Sequence, residues 1–180
     1  MKNIFIICFL FFAINSYSQV HVKIHKLLNY SKEDSTRLDS VIKEMERVIN
    51  DSAFKSEVLA MQITQDNNPD GFSNKRIYDL IMNADELYYA NEKGVIDLKL
   101  QMKPTPFWKP WTKEVGYSTP SKEYIVTYHG KFKKFTKSGL AGHYIHEWIH
   151  KLGFDDSTKK TWDCSVTYAI QHIMEKLVND

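Results

Sequence analysis

Cysteine is scarce in this sequence: 180 residues carry two, Cys8 and Cys164. Cys8 lies in a segment that reads as removable, which leaves Cys164 alone, and a single cysteine cannot close an internal disulfide. A disulfide scaffold is excluded, so an exported chain of this kind must be held by its core or by a metal. Charge of one sign is missing as well. The net charge is +2, so bulk electrostatics point to neither a nucleic acid nor a membrane surface. Internal repeats and low-complexity blocks are absent. So is any apolar run long enough to span a bilayer, since Ile4 to Ala13 is too short.

That short run has a different meaning in its context, "MKNIFIICFLFFAINSYSQ". Lys2 gives a positive start, Ile4 to Ala13 the apolar centre, and Ser16-Tyr17-Ser18 the small residues of a cleavage site. The pattern predicts a secretory signal peptide over 1–18, cut after Ser18. Residues 19–180 then form one domain, secreted or periplasmic, with no membrane span after cleavage and expected to be a monomer. A 43% apolar content supplies a core for a single unit of this length.

Periodicity divides the domain. Leu38, Val41, Ile42, Met45, Val48 and Ile49 recur at helical spacing, predicting a helix over Ser35 to Asn50 after a polar lead. Ser52 is a candidate cap for a second helix through "AFKSEVLAMQI". After the turn-rich "TQDNNPDGFSN", Ser73 is placed to cap a third, "NKRIYDLIMNADEL". The period then changes to two in "VIDLKLQM", a half-buried strand. "KPTPFWKPWTK" is irregular because Pro104, Pro106 and Pro110 each remove a backbone donor. Its Phe107, Trp108 and Trp111 are expected to anchor that loop to the core. "EYIVTYHG" is β-branched and aromatic, a second strand ended by Gly130. "KFKKFTK" reads as a solvated face rather than a nucleic-acid patch, since no wider basic field surrounds it.

"GHYIHEWIHKLGFDD" carries the chemistry. Ser138 is a candidate cap, no proline interrupts the run to Leu152, and Gly153 can end a helix at positive φ. His146 and His150 are four apart, so both imidazoles leave one face of that helix one turn apart and can hold one zinc ion. Glu147 projects beside them, a proton acceptor that is not itself a ligand. Zinc needs a third protein ligand and an open position. A chain reversing at Gly153 brings Asp156 back toward the metal, while Asp155, His172 and Glu175 are the rivals, Glu175 from a later helix "SVTYAIQHIMEKL". His143, seven before His150, is a candidate contact to substrate or a support beneath the ligands. Trp148 and Ile149 point away and should be core, and Cys164 defaults to a buried thiol.

His146, Glu147, His150, Gly153 and Asp156 together spell HExxHxxGxxD. This resembles the metzincin zinc endopeptidases, in the version carried by the small secreted snapalysin type. "SNKRIYDLIM", "GYSTP" and "HEWIHKLGF" are similar to segments of bacterial proteins of this zincin kind, a likeness spanning much of residues 50 to 175. The resemblance implies an α+β fold with a small mixed sheet beside a long active-site helix, and a cleft along an edge strand, for which "EYIVTYHG" is the candidate. It also implies a Zn²⁺ cofactor and a peptide or protein substrate, and for Tyr168 the role of donor to the developing oxyanion, with a core tyrosine as the alternative. One element departs from the family: Ser165-Val166-Thr167-Tyr168 stands where a methionine turn is expected, and Met174 lies too far into the next helix. Two other functions fit the same motif. One is a secreted zinc-binding structural or interaction protein with little turnover, the other a zinc hydrolase acting on other amide links, as in cell-wall peptides. Gln19 to Asp34 is a candidate silencing segment, although it has no cysteine to cap zinc.

Overall fold

The computed structural model describes residues 19–63, 71–89, 91–107, 115–156 and 165–179. The expected signal peptide, Trp108, Pro110, Trp111 and Cys164 lie outside the described residues. Within them the chain runs β1 (His21–Leu28), α1 (Lys32–Ile49), α2 (Ser52–Leu59), α3 (Asn74–Asn83), β2 (Val95–Lys103), β3 (Gly116–Tyr117), β4 (Ile125–Tyr128), α4 (His129–Phe132), α5 (Lys137–Lys151) and α6 (Val166–Leu177). The class is mixed α+β, with a small four-stranded sheet and six helices among the described residues. No helix among them is long and apolar enough to cross a membrane.

Helix starts follow side-chain capping. Ser31 accepts from the Asp34 amide while Asp34 reaches back to the Ser31 amide, so two orphan donors are satisfied and α1 begins three residues ahead of the predicted Ser35. Asp51, not Ser52, caps α2, which stops at Leu59 short of the predicted run. Ser73 caps α3 as expected, and left-handed Ala84 ends it, so Asp85 to Leu87 fall outside the helix. Thr136 rather than Ser138 caps α5 by accepting from the Gly139 amide.

The sheet order is β1-β2-β4-β3. β1 and β2 are parallel, as are β2 and β4, whereas β3 pairs antiparallel with β4. This corrects two expectations. The lead from Gln19 is an edge strand, with Val20 and Val22 in the core, so its first half is part of the folded unit. "EYIVTYHG" is not an edge: β4 holds Ile125 to Tyr128 between β2 and β3, and Tyr128 hands over directly to the short α4. All four β4 residues are buried, as an interior strand requires. The edge nearest the histidines is instead β3.

Ile96, Leu98, Leu100 and Met102 of β2 meet Leu38, Val41, Met45, Trp148, Ile149 and Ile170 in one apolar core. α5 packs against α6, α1 and β4, and every residue from Leu140 to Lys151 is buried. A helix covered on every side cannot be amphipathic. Its polar residues must therefore find partners inside the protein.

Candidate metal centre

The HExxH stretch falls in the last two turns of α5. His146 and His150 are buried, with ring centroids 5.0 Å apart at 81°. The helix ends as the Gly153 amide donates to His150 O, and Gly153 adopts φ +99°, where an L side chain would be strained. Leu87 lies directly over it: a Cβ at Gly153 would come within 2.6 Å of Leu87 Cδ1. The turn sets Phe154 O 2.6 Å from His150 Nδ1. A carbonyl only accepts, so Nδ1 carries the proton and the Nε2 lone pair is free to bind a metal.

Asp156 returns over both rings. Its Oδ1 lies 3.5 Å from His146 Nε2 and its Oδ2 3.6 Å from His150 Nε2. Ligands held about 2.0–2.1 Å from a tetrahedral zinc sit roughly 3.3 Å from one another. The two observed separations are close to that spacing, and one ligand atom from each of the three residues lies within 4.8 Å of the others. The donor set of two imidazoles and a carboxylate could hold a zinc ion with one position left open.

Asp156 is itself held. Thr167 Oγ1 donates to its Oδ1 at 2.6 Å, and Ser165 Oγ, 2.9 Å from Thr167 Oγ1, caps α6 through the Tyr168 amide. Burial would raise the Asp156 carboxyl, but the neighbouring His146 and His150 imidazoles and the Thr167 hydroxyl hold it well below the usual carboxylate range. Tyr168 stacks edge-on against His146 with centroids 4.6 Å apart. The Ser-Val-Thr-Tyr stretch that lacks the methionine thus supplies a hydroxyl to one candidate ligand and a ring to another.

The rivals to Asp156 stand elsewhere. Glu175 accepts from Gln171 Nε2 at 2.8 Å, lies 3.7 Å from His172, and packs against α5 at Gly142, where a Cβ would come within 2.5 Å of its Cγ. Asp155 and Asp156 are both exposed, but of the two only Asp156 groups with His146 and His150, and Glu175 stands apart from them as well.

Glu147 is buried beside the candidate ligands. Burial raises its carboxyl above the ordinary range, opposed by His146, His150 and a hydrogen bond from the Ser118 amide. His143 lies deeper: its Nδ1 is 3.6 Å from Glu147 Oε1 and its Nε2 3.0 Å from Thr127 Oγ1. Burial, then His146, pushes its imidazole down to about 3, so the ring is neutral. Trp148 is core, as expected, and its indole donates to Glu86 Oε1 at 2.8 Å. His146 Nδ1 and Ser118 Oγ are buried without a hydrogen-bond partner among the described residues.

Sequence reasoning missed Phe154, Thr167, Ser118 and Thr127. Phe154 and Ser118 act through backbone groups, which leave no trace in residue identity. Thr167 had a signal, since it stands next to Tyr168 in the stretch set against the methionine turn. Searched against known proteins, the chain matches no family model, no curated protein and no solved structure.

Proposed function

We propose that this chain is an exported zinc-dependent peptidase with a zincin-like fold. The observation that carries the reading is the spacing of His146 Nε2, His150 Nε2 and the Asp156 carboxylate, with Glu147 buried next to them. In this reading those three residues hold Zn²⁺. When bound, zinc makes water acidic and polarises a scissile carbonyl. Glu147 takes the proton of the attacking water and passes it to the leaving amine. The Ser118 amide limits where the carboxylate can turn. In this reading Tyr168, whose ring packs against His146, donates to negative charge developing on the carbonyl oxygen. An extended peptide would add to the sheet beside β3, which has no second strand partner among the described residues.

Metal analysis of the purified mature chain, with a peptidase assay before and after chelation, tests this. About one zinc per chain and hydrolysis lost on chelation and restored by zinc are expected. Bound zinc without hydrolysis of any peptide would replace the reading with that of a zinc-binding interaction protein. Hydrolysis that survives complete chelation would overturn it.

A further inference from the structure

The sheet side of α5 carries a buried polar chain that the reaction above does not use. Thr127 Oγ1, on β4, lies 3.0 Å from His143 Nε2. The phenols of Tyr30 and Tyr144 hydrogen-bond to that same hydroxyl and lie 3.1 Å from each other. On the other side of the ring, His143 Nδ1 faces Glu147 Oε1 at 3.6 Å. Thr127, His143, Tyr144 and Glu147 are all buried, so water does not compete for these groups.

A neutral imidazole carries one proton, and the two neighbours of this ring differ in what they can accept. A threonine hydroxyl donates or accepts, whereas an ionised carboxylate only accepts. With the proton on Nε2, the Nδ1 lone pair would face the carboxylate lone pairs, a repulsion that a buried site does not screen. With the proton on Nδ1, that N–H points at Glu147, and Thr127 donates its hydrogen to Nε2. One phenolic O–H then donates to Thr127, and the other phenol donates to the first. Of the two arrangements, only the second sets a donor against the Glu147 carboxylate. The 3.6 Å separation exceeds a hydrogen bond, so the N–H acts there by charge and dipole.

We infer that His143 is a positioning residue for the base. Held as the Nδ1–H tautomer by Thr127, it fixes the Glu147 carboxylate from the sheet side, together with the Ser118 amide. Gly116 on β3 makes the fit possible, because a Cβ there would stand 3.0 Å from the His143 ring and 1.9 Å from Val126 O. The inference rests on the peptidase reading, in which Glu147 moves the proton.

Two measurements on the mature chain test it. Long-range ¹H–¹⁵N correlation of the histidine rings reads the tautomer directly and needs no activity. His143 is expected with Nδ1 protonated, and its Nδ1 resonance should shift in Glu147→Gln but not in Glu175→Gln. A ring protonated on Nε2, or equal response to both variants, overturns the inference even if the chain is a peptidase. The second measurement compares His143→Asn with His143→Leu, with folding and zinc content checked by melting and metal analysis. Asparagine keeps an N–H near the place of Nδ1, while leucine keeps only bulk. kcat should fall about ten- to a hundredfold in leucine with KM little changed, and asparagine should recover part of it. Leucine turning over as fast as asparagine would reduce His143 to packing. A chain with no peptidase activity refutes the reading of function, and the tautomer and its coupling to Glu147 then decide this inference alone.

Discussion

Zinc affinity should fall in a graded way across three substitutions, because the structure gives each carboxylate and its support a different job. Thr167 Oγ1 donates to Asp156 at 2.6 Å, so Thr167→Val removes the hydrogen bond that orients a ligand and keeps the ligand itself. Losing such an outer partner costs about ten- to a hundredfold in affinity, roughly 1.4–2.7 kcal/mol. Asp156→Ala removes the ligand. Zinc sites contribute roughly 10–16 kcal/mol over four ligands, so an even share is about 2.5–4 kcal/mol, on the order of a hundred- to a thousandfold. Glu175→Ala should change nothing at the metal, since that carboxylate is engaged by Gln171 and packed at Gly142. Competition against a chromogenic zinc chelator measures all three. Melting with and without zinc gives an independent check, as zinc at a hundred times Kd adds about 2.7 kcal/mol to the folded state. The order expected is wild type equal to Glu175→Ala, then Thr167→Val, then Asp156→Ala. If Glu175→Ala lost as much affinity as Asp156→Ala, the ligand set would be wrong.

Glu147→Gln should retain about one zinc per chain while hydrolysis drops about a hundred- to ten-thousandfold; loss of zinc with activity would make Glu147 structural. Gly153→Ala meets both a strained φ and Leu87 Cδ1, so melting should show a loss of about 1–3 kcal/mol, with weaker zinc binding because the turn also places Phe154 and Asp156. Asp34 gives a pH test. Burial raises its carboxyl, but hydrogen bonds from Lys133 and Ser31 outweigh that and hold it below the ordinary value. A depressed folded value means that its contribution is complete above the unfolded pKa, about 3.9, and is lost as pH falls through the lower folded one. Denaturant unfolding should therefore show a gap between wild type and Asp34→Asn that is constant above about pH 5 and closes in stronger acid. A gap that widens on acidification would contradict the assigned shift. Mass spectrometry of exported protein should find a chain starting near Gln19, and an intact Met1 in the membrane fraction would contradict the signal peptide.

The histidine helix was legible because its information is local. Spacing of four residues, a proline-free run and a glycine at the end determine one face and one turn without reference to the rest of the chain. The strand VIDLKLQM was legible for the same reason, since Ile96, Leu98, Leu100 and Met102 alternate and all face the core. β1 hides its alternation, because an edge strand with one open face carries His21, Lys23, His25 and Lys26 among its few apolar residues. β3 has two residues, too few for any period, and exists only because β4 offers it Val126 and Thr127 to pair with. The interior position of β4 was written in its lack of alternation, Ile-Val-Thr-Tyr, yet that run reads equally as a hydrophobic edge. Order within a sheet depends on partners far along the chain.

The supports of the site divide by side, and the division has a consequence. On the α6 side, Ser165 and Thr167 hold Asp156, and Tyr168 packs on His146. On the sheet side, Ser118 and Thr127 meet Glu147 and His143. α5, buried from Leu140 to Lys151, stands between them; His143 and Glu147 lie on it, whereas Asp156 follows its end and Tyr168 meets it at His146. Changes in contact with neither a common partner nor each other add nearly independently. Thr127→Val should therefore slow turnover and leave zinc affinity within about threefold of wild type. Thr167→Val should do the reverse at saturating zinc, with affinity reduced and kcat largely kept. The double variant should show both losses and no further one. If Thr127→Val alone lowered zinc affinity as much as Thr167→Val, the helix would be transmitting strain from the sheet to the ligands, and the base and the metal would share one support.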